Sequence, residues 1–497
     1  MVFLILIFLV LVSLPLPWPA PLVGGGLIGS LTATATLTVL PVIVAAVMAQ
    51  RTRSILLAAP YRRDDILPAY ARARSRHVIA MMIVHGLVLT VFGWGWAVRQ
   101  LCGAEHPSDL PFGAELILMA PFVLALVSSW AAFYPVERAA AEVSMIGLDA
   151  PPFGGRWAYI LFQLRQHLAM ICLPLGLFVI QQGLVRLFPE AFSSGWAAVG
   201  LFAFVLVALM LAPWFLRVLL RTERLPAGPM RDRLEATARR LRLRYSDILL
   251  WNTQGGVANA MVAGPLPWVR YVFLSDRLLE TLPPDEVEAV FGHEAGHVRH
   301  GHFLYYLLFI LLSLAVVGGI WETGKIWAFG DSPASETESW EWLAVPEVAL
   351  VGAYMFVAFG FLSRRCERQA DLFGCRAVSC TNLNCADHGP ATAFAADGRH
   401  LCSTGVRTFI QALERVAAIN GISRGKPGWL QSWLHSTIAR RVEFLEGVID
   451  DPQSAHRFQR RVGMVKWGLI GGLAAVFVGL GVAGYWKQIW SALVMMG

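Results

Sequence analysis

The sequence predicts a mainly α-helical protein: a polytopic bundle of membrane helices joined to an α+β domain that a transmembrane hairpin splits in two. Three observations predict it. Hydrophobic residues make up 56% of the 497 positions and charged residues only 15%, with a mean hydropathy of +0.56, as expected of a chain largely dissolved in lipid. Apolar runs of membrane-spanning length recur along the chain. Two polar stretches, 223–302 and 363–464, interrupt them and carry the mixed helix and strand patterns of a folded domain.

Taken in order, apolar runs near 3–19, 25–48, 77–97, 113–133, 166–187, 196–219, 303–322, 346–362 and 465–486 are the candidate spans. The first ends among Pro15, Pro17, Pro19 and Pro21 and has neither a basic start nor a small-residue cleavage site, so it reads as an uncleaved span or half-span. Residues 1–222 are therefore expected to form an N-terminal membrane region, 303–362 a hairpin within the polar domain, and 465–497 a terminal span.

Charge orients this bundle. Arg51, Arg53, Arg62, Arg63, Arg72, Arg74 and Arg76 fall in one connection and Arg138, Arg156 and Arg165 in another, whereas 323–345 is acidic. By the positive-inside rule the Arg-rich connections are cytoplasmic, and counting spans puts both polar segments on that side of a cell or inner membrane. The net charge of +7 follows from this bias. No aromatic-interleaved basic motif accompanies it, so nucleic acid is not an expected partner; the lipid bilayer is.

Within the polar domain, PMRDRLEATARRLRLRY has helical spacing, while ILLWNTQ, ANAMVAG and VRYVFLSD are rich in strand formers and separated by Gly255, Gly256, Gly264 and Pro265. LPPDEVEAVFGHEAGHVRHGH then starts a helix, with prolines at its mouth and acids in its first turn. It is expected to run straight into the span at Phe303.

That helix carries the chemistry. His293, Glu294 and His297 form H-E-x-x-H; on a helix the two histidines lie about 40° apart and can grip one zinc ion from one face. Glu294 projects beside them, placed to take a proton from water that zinc has acidified to a pKa of roughly 7. His300 lies a turn too far along to share that ion and His302 is expected on the opposite face, both at solvated or headgroup positions. The longer metzincin pattern fails, since it needs Gly where His300 stands and His where Phe303 stands.

A catalytic zinc takes three protein ligands. The third is expected from SRRCERQADLFG, where Glu367 and Asp371 are spaced i, i+4. Glu367 can ligate, and Asp371 can accept the outer N–H of a ligating imidazole. One antiparallel hairpin separates the two motifs and brings them together.

These residues resemble the integral-membrane zinc metallopeptidases typified by the CAAX prenyl protease and the heat-shock protease HtpX. HEAGH, the pattern SRxxExxAD (Ser363, Arg364, Glu367, Ala370, Asp371) and NAMVAG at 259–264 carry the resemblance, which covers roughly 225–302 and 363–448. It implies a gluzincin-like zinc metalloendopeptidase with His293, His297 and Glu367 on the metal and Glu294 as general base. It also implies that NAMVAG is a sheet edge over the cleft, with Asn259, Ala260 and Gly264 contacting an extended protein or peptide substrate by strand addition. A downstream His and Arg are matched by His435 and Arg441, the first to stabilise the oxyanion and the second to buttress the carboxylates; Ser436 stands where the family usually has Pro.

Of seven cysteines, Cys375, Cys380, Cys385 and Cys402 cluster near His388 and His400 in a segment that looks inserted. Cytoplasmic disulfides are disfavoured, which leaves free thiols, or a second, structural zinc on Cys380, Cys385, Cys402 and His388. Three functions fit: a membrane-embedded endopeptidase acting on membrane or membrane-proximal proteins, in quality control; a signal-transducing metalloprotease sensor; and a non-catalytic scaffold or chaperone on a peptidase fold. Short outer loops argue against the second, and the complete ligand and base set against the third.

Overall fold

The computed structural model describes residues 21–22, 24–105, 109–144, 155–188, 195–253, 255–329, 344–379, 384–385, 389–390, 401–422, 424 and 436–485. In chain order its helices are α1 Gly26–Ala58, α2 Arg63–Thr90, α3 Trp94–Cys102, α4 Ala114–Ser144, α5 Arg156–Leu187, α6 Gly195–Leu219, α7 Pro229–Arg240, α8 Asp276–Thr281, α9 Pro284–Arg299, α10 His302–Phe329, α11 Ala344–Val378, α12 Ser403–Ile419, α13 Ile438–Asp450 and α14 Pro452–Val482. The strands are β1 Thr222–Arg224, β2 Asp247–Trp251, β3 Ala260–Ala263, β4 Tyr271–Ser275 and the short pair β5 Asn384–Cys385 and β6 Gly389–Pro390. The mainly helical architecture with an α+β portion interrupted by apolar helices is the one expected.

Four helices are long and apolar enough to cross a membrane among the described residues: Gly26–Ala58, Ala114–Val143, His302–Lys325 and Gln453–Val482. Two more candidate spans are bent pairs, broken by 47° between α2 and α3 and by 45° within α5. Those six correspond to six of the nine runs expected. The run at 3–19 lies outside the described residues, 196–219 yields only a shorter apolar helix from Leu206 to Leu219, and 346–362 is the first half of the 35-residue α11.

The chain divides into two compact units, one of residues 1–208, 326–350 and 496–497, the other of 209–325 and 351–495. The first is held by an apolar core around Phe122, Trp130 and Tyr159. Two of its embedded arginines are paired with acids, Arg74 with Glu137 at 2.5 Å and Arg186 with Glu115 at 2.6 Å, as low-dielectric surroundings favour.

The second unit is built on a four-stranded sheet in the order β1-β2-β4-β3. β1 runs antiparallel to β2, β2 parallel to β4 in the register Leu249↔Phe273, and β3 antiparallel to β4 with Val262↔Val272. Ile248, Val272, Leu274, Val287 and Phe291 are buried together with Leu372 and Phe409, so sheet, α9, α11 and α12 share one core. Two buried acids tie α9 to its neighbours. Glu286 takes a two-pronged contact from Arg415 at 2.7 and 3.0 Å. Glu288 accepts from Thr237, Arg233 and Arg240. A second cluster, around Tyr305, Phe309 and Leu362 with Val465 and Leu469, packs α10, α11 and α14 together.

Small residues set the distance between α9 and α11. A Cβ on Gly292 would stand 2.2 Å from the Ala377 Cβ, and one on Gly296 would stand 3.0 Å from the Ala370 Cα. The helices therefore touch backbone to backbone through Gly292 and Gly296 on one side and Ala370, Gly374 and Ala377 on the other.

One local expectation is overturned. α9 does not run into the span at Phe303: it ends at Arg299, and Gly301, at φ +60°, redirects the chain before α10 begins at His302. The left-handed backbone there suits a glycine and stops the helix.

Candidate metal centre

The close approach of α9 and α11 places the two motifs side by side. Nε2 of His293 and Nε2 of His297 are 3.3 Å apart. The Glu367 carboxylate lies 3.8 Å from the first and 3.7 Å from the second, and all three ligand atoms fall within 4.8 Å of one another. A tetrahedral ion with bonds of about 2.0–2.1 Å needs ligand atoms separated by roughly 3.3–3.4 Å. The donor set, two imidazoles and one carboxylate, and its spacing therefore fit zinc. Among the described residues this is the one group of three donors so arranged.

The groups behind these ligands hold them still. Nδ1 of His293 is 3.0 Å from Oδ1 of Asp371, which is fully buried. Arg441 grips Asp371 with both arms of its guanidinium, Nε donating to Oδ2 at 2.9 Å and Nη2 to Oδ1, and its Nη1 lies 3.8 Å from Glu367. Burial disfavours the Asp371 carboxylate, yet Arg441 and His293 outweigh it and hold its pKa below the usual value. Burial likewise opposes a charged His293, while the contact with Asp371 and the field of Glu367 raise it. The Phe409 ring stacks on His293 at 5.8 Å.

Glu294 points to the sheet. Its Oε2 accepts a hydrogen bond of 3.1 Å from the backbone N–H of Val262 in β3. β3 is the last strand of the sheet, and Val262 presents this N–H on the side away from β4, so the border of the sheet and the carboxylate meet.

The other sequence-predicted residues divide. Asn259 and Ala260 are engaged within the fold: Asn259 N donates to Ser275 Oγ, Asn259 O accepts from Ser275 N, and Asn259 Oδ1 accepts from Ala260 N. Gly264, at φ +120°, ends β3 where a Cβ would meet Val269 O at 2.3 Å, so it shapes the turn. Val262 is the residue sequence reasoning missed; the alternation of β3 marks it once the edge is known. His435 lies outside the described residues. The adjacent Ser436 has φ +63°, a backbone that a proline ring, locked near −65°, cannot take. Cys380 and His388 also lie outside the described residues, and Cys385 is placed only by its backbone in β5. Cys402 is buried, and its Sγ accepts from Gly405 N at the head of α12.

His300 and His302 correct the expectation of a solvated role. His300 is partly buried, and its pKa falls to about 4, first through burial and then through Lys466, Arg376 and Arg299. His302 does not face away: only 1% of it is exposed, and its Nδ1 stands 3.0 Å from Nδ1 of His297. The turn at Gly301 swings it back over the site.

His293, His297 and Glu367 lie within a segment that matches a known family. The family model described as peptidase family M48 matches residues 225–446. A protein named protease HtpX homolog, from Aeropyrum pernix, is 32% identical over 115 residues, 23% of this chain and 35% of that protein. The chain thus spans about a third of the length of this curated relative. The crystal structure of S. mikatae Ste24p superposes with a TM-score of 0.49 at 14% identity, over 86% of this chain and 99% of that one.

Proposed function

Since this chain belongs to the M48 zinc metallopeptidases as an integral-membrane member, we propose that it is a membrane-embedded zinc endopeptidase that cleaves membrane or membrane-proximal proteins in quality control. The observation that carries the reading is the convergence of His293, His297 and Glu367 with Glu294 beside them. On this reading the first three residues hold zinc, which when bound supplies the Lewis acidity that polarises a peptide carbonyl and acidifies water.

The protein's own groups do the rest. Glu294 acts as general base, accepting a proton from the attacking water and passing it to the leaving amine. Asp371, clamped by Arg441, fixes the tautomer and ring plane of His293, leaving its Nε2 free to hold the metal together with His297 and Glu367. The substrate binds as an added strand along the outer border of β3, where main-chain recognition tolerates varied side chains. That border supports the reading because it meets Glu294 at Val262. His435 is proposed to steady the oxyanion.

Proximity to lipid supports the choice of substrate. Glu367 lies five residues beyond Leu362, the end of the apolar half of α11, about 7–8 Å along the helix. The Arg-rich connections support a cytoplasmic active site, and the peptidase domain is proposed to comprise 223–302 and 363–464 on either side of the hairpin.

Detergent-purified protein is expected to hold one zinc per chain and to cleave unfolded casein. Glu294→Gln is expected to keep the metal and lose cleavage by about 10²–10⁴-fold or more. Equal activity in that variant would sink the mechanism.

A further inference from the structure

His302 is buried against a ligand that the proposed zinc needs. On an unbroken helix it would lie about 140° around from His297; the turn at Gly301 instead brings the two Nδ1 atoms to 3.0 Å. His302 Nε2 lies 3.2 Å from Gln369 Oε1, and Gln369 Nε2 donates to Gln459 Oε1 at 2.6 Å. His302 and Gln369 are buried. The run of contacts thus passes from α9 through α10 and α11 to α14.

The direction of every hydrogen bond in this chain follows from its first member. His297 turns Nε2 toward His293 and Glu367, so Nε2 is the ligating atom and the neutral ring carries its proton on Nδ1. That N–H can only donate, which makes His302 Nδ1 the acceptor and puts the His302 proton on Nε2. There it donates to Gln369 Oε1, and the Gln369 amide is held in that orientation by its own donation to Gln459. His297, His302 and Gln369 are thus each oriented by the next group in the run.

We propose that His302 is the positioning residue for His297, a neutral counterpart of Asp371 behind His293, and that Gln369 and Gln459 lock it from the last membrane helix. The two histidine ligands are then held by unlike partners, one a carboxylate and one an imidazole. The inference rests on the zinc reading above and adds a link between the metal site and α14.

The test measures zinc affinity of the full-length, detergent-purified chain by competition with a chromophoric chelator. His302→Phe keeps a ring that can stack on His300, as His302 does at 5.6 Å, but removes the acceptor. It is expected to weaken zinc by about 10–100-fold and to shift the visible spectrum of the cobalt-substituted protein. His302→Asn, whose amide oxygen can stand where Nδ1 stands, is expected to recover most of the affinity. Gln369→Met is expected to lose affinity in the same direction but less, and to add little to His302→Phe, because both act through one path. Wild-type affinity in His302→Phe overturns the proposal. If that variant does not fold, wild-type affinity in both Gln369→Met and Gln459→Met overturns it. A wild-type chain that binds no zinc overturns the zinc reading itself, which separates the two failures.

Discussion

Replacing Gly292 by alanine sets two effects against each other. Alanine in a helix interior is favoured over glycine by roughly 0.5–1 kcal/mol, so propensity alone makes the variant more stable. The added methyl, however, would stand 2.2 Å from the Ala377 Cβ and 3.3 Å from the Gly374 Cα, whereas carbons in contact sit about 3.5–4.0 Å apart. α9 and α11 must then separate by more than about 1 Å, an overpacking cost of roughly 1–3 kcal/mol, and packing outweighs propensity. His293 is the next residue and Glu367 lies on the opposing helix, so the same separation widens a ligand spacing of 3.8 Å beyond what one tetrahedral ion can bridge. Thermal melting of the zinc-free protein should fall, and chelator competition should show zinc affinity falling with it. Adding Ala377→Gly removes the opposing methyl and should restore zinc affinity and most of the stability, a coupling larger than about 0.5 kcal/mol. A Gly292→Ala protein that melts higher and binds zinc unchanged would refute the close-packing argument.

Other consequences follow from the same contacts. Arg441→Met leaves the fully buried Asp371 carboxylate without its main partner and should destabilise the folded protein by about 3–5 kcal/mol, read by thermal melting. Asp371→Asn keeps the shape but weakens the hold on His293, so zinc affinity should drop by about 10–100-fold in the chelator assay. Asn420→Ala removes paired hydrogen bonds of 3.0 and 2.7 Å to the backbone of Ala258 that anchor the entry to β3. It should cost about 1–3 kcal/mol and raise KM for casein more than it lowers kcat. Zinc at a hundred times its dissociation constant should stabilise the chain by about 2.7 kcal/mol, visible as a higher melting temperature that chelation reverses.

How much of this was legible depends on whether the signal was local. H-E-x-x-H and E-x-x-x-D declare themselves by helical spacing, and the apolar hairpin between them implies that their helices meet. The strand formers of ILLW, AMVA and YVFLS fall in β2, β3 and β4. Sheet order was not legible, because nothing in those runs says that β2 pairs in parallel with β4 and leaves β3 outside. The broken spans were also missed, since hydropathy averages over a bend. The glycines at 292 and 296 were visible, but their meaning depends on Ala370, Gly374 and Ala377, some 80 residues away.

His302 shows most plainly why a helical wheel can mislead. Projected on an uninterrupted helix, H-E-x-x-H-x-x-H-G-H assigns its last histidine to the far face. The only local hint of the contrary is Gly301, a residue that both continues helices poorly and ends them readily. Once the chain breaks there, two consequences follow together. α10 starts on a new axis, which lets it pack with α11 and α14 around Phe309 and Leu362. His302 starts that axis, and its ring is carried back to His297. The same turn therefore sets where α10 begins and completes the support of a proposed metal ligand. An alanine at 301 should fail on both counts, since φ +60° costs an L-residue about 1 kcal/mol or more. A fall in melting temperature accompanied by weaker zinc binding would show the coupling. A lower melting temperature with unchanged zinc affinity would separate the hairpin from the metal site.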